Sequence, residues 1–122
     1  MMAITTRETQ VLSQLAYLYL LQGYHDRASV LYAGLRVLEP DVAHHLRGLA
    51  LSRARAGQPE QALEALDQLA LSGAVDAPFY SLRASVLSDL GRLPEAQAAM
   101  RTCLSLKAAT APTVSESRRR AA

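Results

Sequence analysis

Gly23, Gly57 and Gly91 stand 34 residues apart twice over. Alanines keep the same interval, five residues after each glycine (Ala28, Ala62, Ala96) and seven before it (Ala16, Ala50, Ala84). Nine positions in three columns agree on one period, which an alanine-rich composition alone does not produce. The chain is therefore built by repetition, from a unit that buries its apolar face against its own copies. Each residue type has a physical role within the unit. Glycine accepts positive φ and ends one helix at little cost, after which a new helix starts. Ala28 lets two helices approach closely, Tyr32 fills the gap beside it, and Pro40 stops the second helix. Pro59 and Pro94 stand near helix starts, where the missing N–H costs nothing.

The apolar spacing is helical throughout, as in Ala28, Leu31, Tyr32, Leu35 and Leu38, or in Ala62, Leu66, Leu69 and Ala70. It predicts six helices, over 7–22, 25–38, 42–56, 59–71, 77–90 and 93–107. No stretch alternates with a strand period. A 34-residue unit of this chemistry resembles the tetratricopeptide repeat, a helix-turn-helix module. That resemblance implies an all-α fold of three repeats in a right-handed superhelical array. The repeats fall at 9–42, 43–76 and 77–109, after an N-terminal segment 1–8 and before a tail 110–122. The family's tryptophan is missing, and Ala74 and Ala108 stand where a closing proline is usual. The length of the second helix in repeats two and three is left open by those departures.

Half of the 122 residues are hydrophobic but only 5% are aromatic, so leucine and alanine must do the packing. The longest apolar run, Leu15 to Leu21, is seven residues, against about 20 for a bilayer span. The N-terminus has neither the basic cluster nor the apolar core of a signal peptide. The single cysteine, Cys103, suits a reducing compartment. Together these predict a cytosolic protein without direct membrane insertion. Formal net charge is +2, and the tail accounts for it with Arg118, Arg119 and Arg120 against Glu116. The repeats are formally neutral, which argues against nucleic-acid binding, because counterion release needs many clustered cations. The tail is too polar to pack and is expected to be disordered after about Lys107.

Catalytic chemistry is hard to find. His44 and His45 diverge by about 100° on a helix and cannot share a metal. Asp41, after Pro40, reads as the N-cap of the next helix rather than as a ligand. His25 reads as a surface turn residue, and Cys103 as a small packing hydrophobe without a nearby base. The glycines are dispersed, so no phosphate-binding loop exists. No enzyme activity, metal or cofactor is expected.

In stacked hairpins of the kind this chain resembles, the first helix of each pair lines a concave groove where ligands bind. Carried over residue by residue, the groove register places Ser13, Tyr17, Leu20 and Leu21 there from repeat one. Repeat two supplies His44, Arg47, Leu51, Ala54 and Arg55, and repeat three Ser81, Ser85, Ser88 and Asp89. One subclass grips chaperone C-terminal carboxylates with lysines, an arginine and asparagines. Its positions hold Ser13, Tyr17, Gly48, Pro78 and Leu82 here, so that clamp is absent. The lining that remains is apolar, then basic, then hydroxylated, and suits an amphipathic helix or an extended apolar segment with an acidic residue or two. Nothing after Lys107 reads as a capping helix, which leaves Leu104 and Leu106 as a second candidate binding surface.

The polar start with Thr6, Arg7, Glu8 and Gln10 leads into a leucine- and aromatic-rich first helix. Gln22-Gly-Tyr-His-Asp-Arg-Ala28 follows, running to Leu38-Glu39-Pro40. These residues resemble the small tetratricopeptide chaperones of bacterial type III secretion, and within them the YscY (SctY) family. The resemblance implies a cytosolic chaperone that stabilises a small secreted partner of the YscX (SctX) kind, in a heterodimer or larger complex. It also implies that the chaperone engages the inner-membrane export gate. A scaffold or adaptor joining partners outside secretion is the alternative.

Overall fold

The computed structural model describes residues 5–110, so the tail arginines lie outside the described residues. The fold is all-α. Six helices follow one another, α1 (Thr6–Leu21), α2 (His25–Leu38), α3 (Ala43–Arg55), α4 (Pro59–Leu71), α5 (Ala77–Asp89) and α6 (Leu93–Thr110), with no strand among the described residues. They pair as three helix-turn-helix repeats. The first five match the predicted spans to within a residue at either end.

The period glycines do what their chemistry allows. Gly23, Gly57 and Gly91 have φ of +86°, +76° and +76°, and a Cβ on any of them would meet nothing within 4 Å. The turns need glycine for its backbone freedom, not for space. The missing closing prolines have two different outcomes. In repeat two Gly73, at φ +84°, turns the chain left-handed just after α4. In repeat three no glycine or proline follows Lys107 within the helix, and α6 runs to 18 residues, three beyond the predicted end.

Helix starts are less uniform. Thr5 Oγ1 accepts the Glu8 N–H at 3.2 Å, and Asp76 Oδ1 accepts the Phe79 N–H at 3.0 Å. Asp41, expected to cap α3, does not: the N-cap is Val42, which has no side-chain acceptor. The Val42 N–H bonds back to the Glu39 carbonyl at 3.2 Å, which leaves Asp41 one residue early, in the turn. Asp76→Ala is expected to cost about 1 kcal/mol and Asp76→Asn to recover most of it, a difference that thermal melts of the two variants resolve.

The chain divides into two compact units, up to Ala74 and from Val75 on. In the first, α1 to α4 pack in sequence and α3 also reaches α1. The second is the α5–α6 hairpin. All six alanines flanking the period glycines are buried. Enlarging one of them, Ala62→Leu, should destabilise by about 1 to 3 kcal/mol through overpacking; a melt superimposing on wild type would contradict this. Tyr32 is wholly buried and lies on Gly48, where an added Cβ would stand 2.5 Å from its Cζ and 2.7 Å from its Cδ1. That close approach locks α2 against α3. Cys103 is buried in the second unit as a free thiol.

Candidate protein-binding face

The 34-residue period puts Tyr17 of α1 and Leu51 of α3 at the same position of successive repeats. On α3, His44, Arg47, Leu51 and Ala54 follow one another at three- and four-residue steps and so form one stripe, with Arg55 at its edge. The opposite face of α3, with Leu46, Leu49 and His45, is buried. His44 and Arg55 are exposed, while Arg47 and Leu51 are half-buried. On α1, Tyr17 is 52% exposed and Leu21 is also open. Leu20 is different: at 7% exposure it packs inward and offers little surface to a partner. The unbroken apolar run through α1 hides this division, because all three residues are large and hydrophobic.

Beneath the stripe the side chains pack closely. His44 meets the Tyr32 ring edge-on, with centroids 6.4 Å apart and planes at 76°. Burial, and secondarily the neighbouring Tyr17, holds the Tyr32 hydroxyl above the ordinary tyrosine range. Buried His45 places Nε2 2.8 Å from Glu39 Oε1, tying the start of α3 to the end of α2. From the other end of α3, Arg53 donates to the Gln61 carbonyl of α4 at 3.2 Å. Arg47 is already engaged within the fold, which leaves Arg55 as the more available cation on this stripe. The arrangement presents aromatic and aliphatic surface beside positive charge. Among the described residues no cluster of His, Cys, Asp or Glu could hold a metal ion.

In the second unit, Ser81, Ser85 and Ser88 line a hollow of about 430 Å³ together with Leu93, Gln97 and Met100. Leu104 is exposed beside this region of α6, and Leu106 is half-buried. The sequence reading missed Leu93 and Met100, and also missed Val11, Leu15 and Leu18, which stand exposed on α1. It missed a third feature at the first turn, where the Arg27 guanidinium lies 5.1 Å from the Tyr24 ring and 5.9 Å from Tyr19. Val11, Leu15, Leu18 and Met100 differ in this from their equivalents 34 positions away, His45, Leu49, Ser52 and Leu66, which are buried.

Tetratricopeptide-repeat families match residues 77–110, and residues 9–33 with 43–68. No curated protein matches the sequence. Among solved structures, PcrH in complex with the chaperone binding region of PopB superposes with a TM-score of 0.82 at 24% identity, over 98% of this chain and 96% of that one. The Yersinia enterocolitica type III secretion translocator chaperone SycD gives 0.80 at 23% identity, over 95% and 87%. A second SycD structure gives 0.79 at 23%, over 94% and 87%. At such identities the likeness is one of fold.

Proposed function

Starting from a chain that belongs to the tetratricopeptide-repeat family, we propose that it is a type III secretion chaperone that shields an apolar segment of a secreted partner before export. The observation that carries this reading is the exposure of Tyr17 and Leu21 on α1 and of Arg55, next to half-buried Leu51, on α3, which together offer apolar and basic surface. The chaperone performs no chemistry. It binds by burying these side chains, stays in the bacterial cytosol, and hands its client to the inner-membrane export gate. The motifs of the first repeat favour a YscX (SctX)-like client.

A second reading of the client, a translocator segment, is favoured by the fold shared with the translocator chaperone SycD and with PcrH, which is seen in complex with the chaperone binding region of PopB. Co-expression with each candidate decides between them. A YscX-like protein should co-purify in a defined stoichiometric complex and gain resistance to proteolysis, whereas a translocator segment should do neither. Recovery of the chaperone alone with both candidates would sink the chaperone reading and leave an adaptor role. Arg55→Ala should weaken capture modestly and chiefly at low ionic strength, because rim charges act mainly on encounter rate and are screened by salt. A salt titration of capture measures this directly.

A further inference from the structure

Met100 of α6 is 40% exposed, whereas the residues one and two periods earlier, Leu66 and Tyr32, are 0% and 1% exposed. In the first hairpin a helix covers this column: Gly48 of α3 lies on the Tyr32 ring. α3 arrives antiparallel to α2, since His45 meets Glu39, and Gly48, further along, meets Tyr32, further back. The equivalent surface of the α5–α6 hairpin is open. Ala84 and Ala96 are the buried floor of its hollow of about 430 Å³, while Ser85, Ser88, Gln97 and Met100 stand exposed around them, and no charged side chain lines it. Leu93, Gln97, Met100, Leu104 and Lys107 follow one another along α6 at three- and four-residue steps. They form one stripe, uncharged over the roughly 16 Å from Leu93 to Leu104 and ending in a cation.

Building on the chaperone reading, we infer that this hollow takes an amphipathic helix of the client, which sets a first-turn carboxylate against Lys107 and lays an aliphatic side chain over Met100. The charge follows from a side-chain contact inside the chain. At the α2–α3 junction His45, the third residue of α3, places Nε2 2.8 Å from Glu39 Oε1. Two periods after Glu39 stands exposed Lys107, so a helix received here meets a cation where α3 meets a carboxylate. An acidic residue in the first turn pairs with that cation and also suits a helix N-terminus. Three residues further on, the Tyr32 ring leaves α3 no room for a Cβ at Gly48. Met100 is slimmer and flexible, so an aliphatic side chain fits over it. Residues 111–122 do not supply such a helix. On the same register Glu116 falls opposite Met100, and Arg118 and Arg120 fall in the columns of buried Ala84 and Val86, where an unpaired charge is costly. The site shares no residue with the face of Tyr17, Leu51 and Arg55.

Photo-crosslinking of the full chain co-expressed with its client tests this, using Gln97→p-benzoylphenylalanine on the wall of the hollow. Gln97 should join to a client segment in which an acidic residue is followed three residues later by an aliphatic one. Met100→Glu should weaken client capture at least tenfold and Met100→Leu should not, with helicity unchanged in both. Lys107→Glu should weaken capture chiefly at low salt, and a lysine in place of the client's acidic residue should restore it. If the client co-purifies but does not join to Gln97, or if Met100→Glu captures it at wild-type strength, the helix site is overturned while the chaperone reading stands. A crosslink to residues 111–122 or to a second copy of the chain would also overturn it, by giving the hollow another occupant. Failure to capture any client would sink both.

Discussion

Tyr17→Ala combined with Leu51→Ala is expected to abolish co-purification of the client at every salt concentration while leaving the helical spectrum intact. Truncating one hot-spot side chain at an interface removes on the order of 2 kcal/mol. Two such losses amount to roughly three powers of ten in affinity if they act independently. Tyr17 is half exposed and Leu51 half-buried, so neither supports the interior to a degree that would unfold the chain. Pull-down at low and high salt, with circular dichroism of the same preparations, makes the check. Wild-type capture by the double variant would move the client to the surface around Leu104 and Leu106.

The second large effect is on stability. Tyr32→Ala empties a fully buried aromatic site and should cost about 3 to 5 kcal/mol in chemical denaturation. Its contact with Gly48 gives a sharper test through a change of sign. In the wild-type background Gly48→Ala drives a Cβ into the Tyr32 ring and should destabilise. With Tyr32→Ala already in place the same change meets open space. It should then stabilise by up to about 1 kcal/mol, because alanine is the better helix former. Equal effects in the two backgrounds would mean that the ring is free to move aside.

The helices were legible because their punctuation is local: a glycine at positive φ and a proline near a helix start act through their own backbone. The end of α6 was less so: no glycine or proline marks it, and the helix runs three residues beyond the predicted span. Asp41 misled because a capping residue is known by its backbone position, and the turn at Pro40 closes one residue later than the sequence suggests. The candidate face was legible in register but not in depth. Tyr17, Leu20 and Leu21 lie within one apolar run, and only packing against α2 and α3 separates the inward leucine from the outward pair. Gly48 could not be read at all: its role depends on a ring 16 positions earlier in the chain.

The chain has five tyrosines and no tryptophan, and four of the five lie in the first repeat. Tyr19 and Tyr24 stand edge-to-face 6.0 Å apart beside Arg27, and Tyr32 is sealed in the interior. Tyr17 alone among these four sits on the face proposed for the client, so docking there should alter its emission. On that proposal the molecule carries an intrinsic optical reporter at the face that takes the client. A client bearing a tryptophan would read out through energy transfer from that ring without any label.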